Sequence, residues 1–169
     1  GAKSVARLAA SAGRDGAGLH GMTGGNPFFV TEVLASSSDE IPDSVRDAVL
    51  ARARGLSRRG RGVLEIGGVG PGRAETWLVQ DVLGESPAGP ADECLEAGML
   101  ELEGAALRFR HEIARSSVED ELSPMRRAEL DARVLEALRA REGIDPARLV
   151  HHARRAGDAA AILAAGPEA

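Results

Sequence analysis

Between Leu107 and Val118 the apolar pattern changes period with no loop residue in between. Leu107 and Phe109 alternate with Arg108 and Arg110, the period-two spacing of a strand. From Ile113 the spacing is helical, with Ala114, Ser117, Val118 and Leu122 on one face. The segment reads as a strand joined directly to a helix, with His111 at the junction in the helix's first turn. A helix start carries unpaired N–H groups and a partial positive charge, so it favours anions. With Arg108, Arg110 and Arg115 nearby, His111 is placed to touch a phosphate oxygen. On spacing alone, the simpler role is a cap or packing residue, and Glu112 counts against a bare anion site. His111-Glu112-x-x-Arg115 is not a zinc-protease motif, because position 115 would have to be a second His.

Upstream of the junction, Met99 to Leu102 and Leu107 to Arg110 pair as a hairpin around Glu103-Gly104. Helical faces precede it at Val45/Ala48/Val49, at Val63/Leu64, at Ala74/Trp77/Leu78/Val82 and from Pro90 to Ala97. Three helices followed by a two-stranded wing make a winged-helix pattern. Ser44 with Asp47 approximates a capping box at the first of these helices. Gly60 and Gly62 weaken the next by about 1 kcal/mol each relative to Ala, so packing must hold it. That helix is expected to end near Ile66. The run from Gly67 to Gly72 then reads as a flexible connector, since it lacks the Lys and Ser/Thr of a phosphate loop.

Ahead of this block, Lys3 to Ala12 reads as a helix with Val5, Leu8 and Ala9 on one face and Gly13 as its stop. A short helix follows from Asp15 to Thr23. In Gly24-Gly25-Asn26-Pro27-Phe28-Phe29, Asn26 suits a cap and Pro27 a first helical position, making a corner into a helix that reaches Ala35. Ser36 to Glu40 reads as a linker. Behind the junction, Ser123-Pro124 opens a long helix with Leu130, Val134, Leu135 and Leu138 as its stripe. Asp145-Pro146 opens another, with Leu149, Val150 and Ala153 inward, closed by Gly157. A last segment contains Ile162 and Leu163. These paired helices resemble the start of a helical-repeat solenoid, although fewer than three repeats are present. His151-His152 prompts a metal reading. Neighbours on a helix point about 100° apart, and no carboxylate lies four residues away, so one partly buried and one exposed histidine is expected.

The Thr23-Gly24-Gly25-Asn26-Pro27-Phe28-Phe29 and Phe109-Arg110-His111-Glu112-Ile113-Ala114-Arg115 motifs, with the hairpin before the second, resemble bacterial signal-transduction ATPases with numerous domains. The resemblance covers nearly the whole chain and is greatest to the large ATP-binding LuxR-type transcriptional regulators. It implies a mainly α fold in three parts: helices of an ATPase lid over residues 1–38, a winged-helix domain with one β-hairpin over 41–122, and the start of a helical-repeat region over 123–169. It implies that His111 reaches the β-phosphate of ADP, and that Gly25, Asn26 and Pro27 form the element whose proline packs on adenine. Related apoptotic and plant-immunity ATPases carry Met-His-Asp where this chain has Arg110-His111-Glu112, so the roles of the flanking residues do not carry over.

The function expected from this resemblance is that of a regulatory, non-catalytic segment of an ATP/ADP-dependent transcriptional regulator. The partners implied are the ATPase core of the same chain and, in the active state, a second copy. No Walker lysine motif occurs, so no ATP hydrolysis by these residues alone is expected. One charge-assisted contact at His111 and one stacking contact at Pro27 supply roughly 2–5 kcal/mol together. Association costs on the order of 4–15 kcal/mol, so no nucleotide is expected on this segment alone. A start without Met and a stop inside an Ala-rich pattern fit a piece of a longer protein.

Two alternatives stay open: a freestanding helical protein-interaction module, and a DNA-binding winged helix. The net charge of −5 argues against general nucleic-acid binding. The helix from Pro90 to Ala97, which would enter the major groove, carries Asp92, Glu93 and Glu96 and no base, where binding needs Lys or Arg. No direct DNA contact is therefore expected. Cys94 is the only cysteine, which excludes an internal disulfide or a Cys-based zinc cluster. No apolar run approaches the roughly 18 residues of a membrane span, and a cytoplasmic location is the expectation.

Overall fold

The computed structural model describes residues 2–11, 15–35 and 41–158. The expected stop at Gly13, the 36–40 linker and the segment around Ile162 and Leu163 lie outside these residues. Within them the chain is mainly helical, with one small antiparallel sheet. Helices α1 (Ala2–Ser11), α2 (Gly16–Thr23) and α3 (Pro27–Ala35) come first. Asp15 caps α2 by accepting from the amides of Ala17 and Gly18, and Asn26 Oδ1 accepts from Phe28 N at 3.0 Å to cap α3. Val5 and Ala9 of α1 are buried, but Leu8 is exposed.

The next block is α4 (Asp43–Arg54), α5 (Arg58–Val69), β1 (Arg73–Glu75), α6 (Thr76–Leu83), α7 (Ala88–Glu96), β2 (Leu100–Glu103), β3 (Ala106–Phe109) and α8 (Glu112–Glu121). The helix–strand–helix–helix–hairpin order from α5 to β3 is that of a winged helix. The wing is larger than the sequence indicated. Residues 73–75 form a third strand on β3, with Arg73 opposite Arg108 and Glu75 opposite Ala106, giving the order β1-β3-β2. Ala74, expected on a helical face, therefore lies in a strand, and α6 starts at Thr76. Three residues are too few to show a period, and their partner is distant in sequence. The hairpin forms as expected, with Leu100 opposite Phe109 and Gly104 at φ 62° in the turn.

The Ser44–Asp47 capping box does not form. Helix α4 begins two residues earlier than a Ser44 cap requires, at Asp43 after Pro42, and the Ser44 hydroxyl donates instead to the Glu32 carboxylate of α3. The expected glycine connector is corrected as well, because Gly67, Gly68 and Val69 are the last turn of α5. A Cβ on Gly67 would lie 3.2 Å from the Phe109 ring. One on Gly68 would lie 3.5 Å from Val118 and 3.7 Å from the Glu119 amide. Close approach of α8 and β3 outweighs the poor helix propensity of these glycines. Gly60 obeys the same logic on α7's side, where a Cβ would meet Glu93 at 2.9 Å.

Helix α9 (Pro124–Arg139) starts at the Ser123 cap, and α10 (Pro146–Ala156) at the Asp145 cap. The two pack together and lean on the winged block through arginines. Arg148 makes a two-pronged pair with Glu75 at 2.8 and 2.9 Å. Arg133 donates to the Val82 carbonyl, and Arg141 pairs with Asp81 and stacks over Trp77 at 4.0 Å. The buried apolar cluster runs from Val5 through Phe29, Leu64 and Ile113 to Leu138. None of the described helices is long and apolar enough to cross a membrane.

Candidate functional site

Helix α2 ends in a tight corner. Gly24 and Gly25 both take left-handed backbone, at φ 57° and 76°. The buried Thr23 hydroxyl donates to the Leu19 carbonyl at 2.7 Å and accepts from Gly25 N at 3.3 Å. Asn26 and Pro27 then start α3, leaving Pro27 and Phe28 exposed and turning Phe29 inward. A second junction meets this corner. Arg110 N donates to the Met99 carbonyl at 3.1 Å, holding the end of β3 beside β2. His111 follows in extended backbone, φ −139° and ψ 131°, as the N-cap of α8. It therefore stands just before the helix rather than in its first turn, and its side chain makes no capping bond.

The imidazole of His111 is seated on the corner. A Cβ on Gly24 would lie 2.7 Å from its Cε1, nearer still to Nδ1, and 2.9 Å from the Arg110 carbonyl oxygen. Phe29 meets the ring edge-on, with centroids 5.3 Å apart at 89°. Nδ1 is buried and makes no hydrogen bond within normal geometry. Burial pushes the ring's pKa down. The Arg110 carbonyl pulls the other way, while the positive charges of Arg110 and Arg52 add to the depression.

The two motifs singled out in the sequence thus meet, but through a residue that was not singled out. Gly24 touches His111. Gly25 faces the other side, where a Cβ would lie 3.3 Å from His20. Asn26 is occupied as the α3 cap, and Pro27 presents its ring to solvent. The doubled glycine was the available signal, because two left-handed residues in succession mark a turn tight enough to admit another backbone. The arginines also differ from expectation. Arg108 is paired with Glu101 at 2.5 Å and Glu103 at 3.4 Å. Arg115 turns inward to Glu112, Glu119 and the Gly68 carbonyl. Arg110 gives Nε to the Leu100 carbonyl at 3.3 Å. Beside the site, a groove of about 370 Å³ runs between α2 and the sheet, lined in part by Gly21, Gly72, Arg73, Arg110 and Glu112.

The histidine pair on α10 departs from the expected one partly buried and one exposed ring. His152 is wholly buried and His151 half-buried, and the carboxylate absent from their own helix comes from Asp131 of α9. Ligand atoms of Asp131, His151 and His152 lie within 4.8 Å of one another. Both Asp131 oxygens are engaged, one by His152 Nδ1 at 2.7 Å and the other by Arg155 Nε at 3.0 Å. The cation already present there is a guanidinium, so the group is a polar network and no metal centre is assigned. An aspartate next to Leu130 on a helix's buried side was the signal for such a partner. On α7, Glu93 accepts from Ser57 N at 2.9 Å at the start of α5, and Cys94 donates to the Gly60 carbonyl. Burial, helped by the Glu93 charge, pushes the Cys94 thiol up to about 12, so it is inert.

Stability should depend on pH through the rings of His111, half-buried, and His152, wholly buried. Burial lowers His152 as it lowers His111, against the pull of Asp131. The unfolded chain then takes up protons first, at about pH 6.5. The contribution of these rings is intact above that pH and is lost as pH falls from about 6.5 toward their folded values. Glu75 and Glu119 act lower. Burial would raise them, but Arg148 holds Glu75 down, and Arg115 and Arg155 hold Glu119 down. Thermal melts between pH 8 and 5 should be level above about 6.5 and decline below it. A melting temperature unchanged down to pH 5 would contradict the burial of neutral imidazoles. Compared with protein-family models, with curated proteins and with solved structures, the chain matches none of them.

Proposed function

We propose that this chain is the regulatory, non-catalytic block of an ATP/ADP-dependent transcriptional regulator, with His111 and the Gly24–Pro27 corner facing a bound nucleotide. The observation that carries the proposal is the seating of the His111 ring on Gly24, which joins the two motifs of the family resemblance in one place. The exposed Pro27 and Phe28 offer an apolar surface of the kind an adenine ring stacks on. A half-buried, neutral imidazole at a helix start is poised to respond to an anion, since a phosphate oxygen at the ring would draw the proton back. The rest of the nucleotide cradle would be the ATPase core of the same chain. ADP would tie this block to that core, and exchange for ATP would free it to rotate and self-associate.

The exposed face of α7 favours neither DNA nor RNA. Asp92 and Glu96 point outward, while Glu93 is used at the start of α5. The test uses the intact regulator. His111→Ala should weaken ADP by about 10- to 100-fold, the value of one charge-assisted hydrogen bond, with a smaller effect on ATP and a higher basal activity. Calorimetric titration reads this directly. An ADP affinity equal to that of the unaltered protein would remove the proposal and leave a protein-interaction module as the better reading.

A further inference from the structure

A chain of hydrogen-bonded polar and charged side chains links α10, α9 and α8. His152 Nδ1 meets Asp131 Oδ1 at 2.7 Å. Asp131 Oδ2 accepts from Arg155 Nε at 3.0 Å. Arg155 then pairs with Glu119 Oε1 of α8. Glu119 Oε2 meets Arg115 at 2.7 Å, and Arg115 also holds Glu112 at 2.8 Å and the Gly68 carbonyl at 2.8 Å. Each bridging carboxylate uses one oxygen for each neighbour, so no oxygen of Asp131 or Glu119 is left over. Asp131 and His152 are wholly buried, and Glu119 is 14% exposed. The chain ends at Glu112, the residue after His111.

We infer that α10 and the first turns of α8 form one cooperative unit, joined by this relay, so that the docking of α10 governs the His111 end of α8. A buried ion pair adds little stability when complete, but leaves an uncompensated charge when one partner goes. The relay therefore tends to be whole or broken, which is the behaviour a switch element needs. Undocking α10 removes Arg155, and the largely covered Glu119 carboxylate must then be satisfied by Arg115 alone. Arg115 in turn sets Glu112 and its grip on α5. Asp131, Glu119 and Arg155 are positioning residues. They touch no ligand and act through α8. That this coupling controls nucleotide state rests on the function proposed above; the coupling itself does not.

The test needs no nucleotide, so its failure and the failure of the proposed function are separable. Amide hydrogen exchange of the whole chain is followed by NMR in low concentrations of denaturant. In the unaltered protein, amides 114–118 of α8 and those of α10 should open together, with one common dependence on denaturant. Arg155→Gln, at a partly exposed position, should speed exchange about tenfold or more in both helices, as for one opening unit. Asp131→Asn should do the same. Arg59→Gln, which breaks the exposed pair with Glu85, should alter neither. Separate opening of the two helices in the unaltered protein, or loosening of α10 alone in Arg155→Gln, would overturn the inference. Both measurements stand if Asp131→Asn fails to fold.

Discussion

Gly24→Ala is expected to lower stability by roughly 2–5 kcal/mol. Two causes add. At φ 57° an alanine is in left-handed backbone, which costs about 1–2 kcal/mol. Its Cβ would also overlap the His111 ring and lie 2.9 Å from the Arg110 carbonyl oxygen, and overpacking of this kind costs about 1–3 kcal/mol. The ring can give way, but the carbonyl belongs to the strand end held by Met99. For a domain of this size the melting temperature should fall by about 5–20 °C. A double-mutant cycle isolates the ring. In a His111→Ala background the same substitution should cost less by about 1 kcal/mol, because only the backbone terms remain. If Gly24→Ala melts within a degree of the unaltered chain, the ring does not sit on the corner, and the proposed nucleotide site loses its geometry.

Asp131→Ala should cost about 3–5 kcal/mol, the usual penalty for removing one partner of a buried charged pair. The loss leaves Nδ1 of the wholly buried His152 without a partner, and Arg155 with only Glu119. Exposure decides the size of the effect. The Arg54–Glu121 pair has a comparable separation of 3.2 Å, but its side chains are 65% and 57% exposed. Water and salt screen such a pair, and Glu121→Gln should change stability by less than about 0.5 kcal/mol. Urea denaturation of the two variants side by side gives the comparison. Equal, small losses would mean that Asp131 is hydrated in solution.

Much of the fold was legible where a pattern was local. The change of period at His111, the hairpin around Gly104, and the helix starts at Asp15, Asn26, Ser123 and Asp145 are set by residues close in sequence. What escaped was decided at a distance. Strand β1 exists because Arg73 to Glu75 lie along β3, and three residues carry no period of their own. The last turn of α5 is helical against the propensity of Gly67 and Gly68, because Phe109 and α8 need the space. Ser44 left its capping role for a carboxylate on α3. For the site, the chemistry-bearing His111 was readable from its position, but its contact at Gly24 was not, since a glycine signals freedom without saying what will approach it. Of the arginines near His111, Arg108 is paired with Glu101 and Glu103 across the hairpin and Arg110 is held by the Leu100 carbonyl, whereas the Arg115 pairs with Glu112 and Glu119 follow helical i,i+3 and i,i+4 spacing.

The glycines of α5 have a mechanical consequence. Where two helices meet through side chains, small sliding movements are absorbed by rotamer changes, as in shear motions between packed segments. At Gly67 and Gly68 there is nothing to rotate: the Phe109 ring and the flank of α8 rest almost directly on the main chain of α5. Any displacement of α8 must therefore be passed to α5 with little slack, and the pair should travel as one rod.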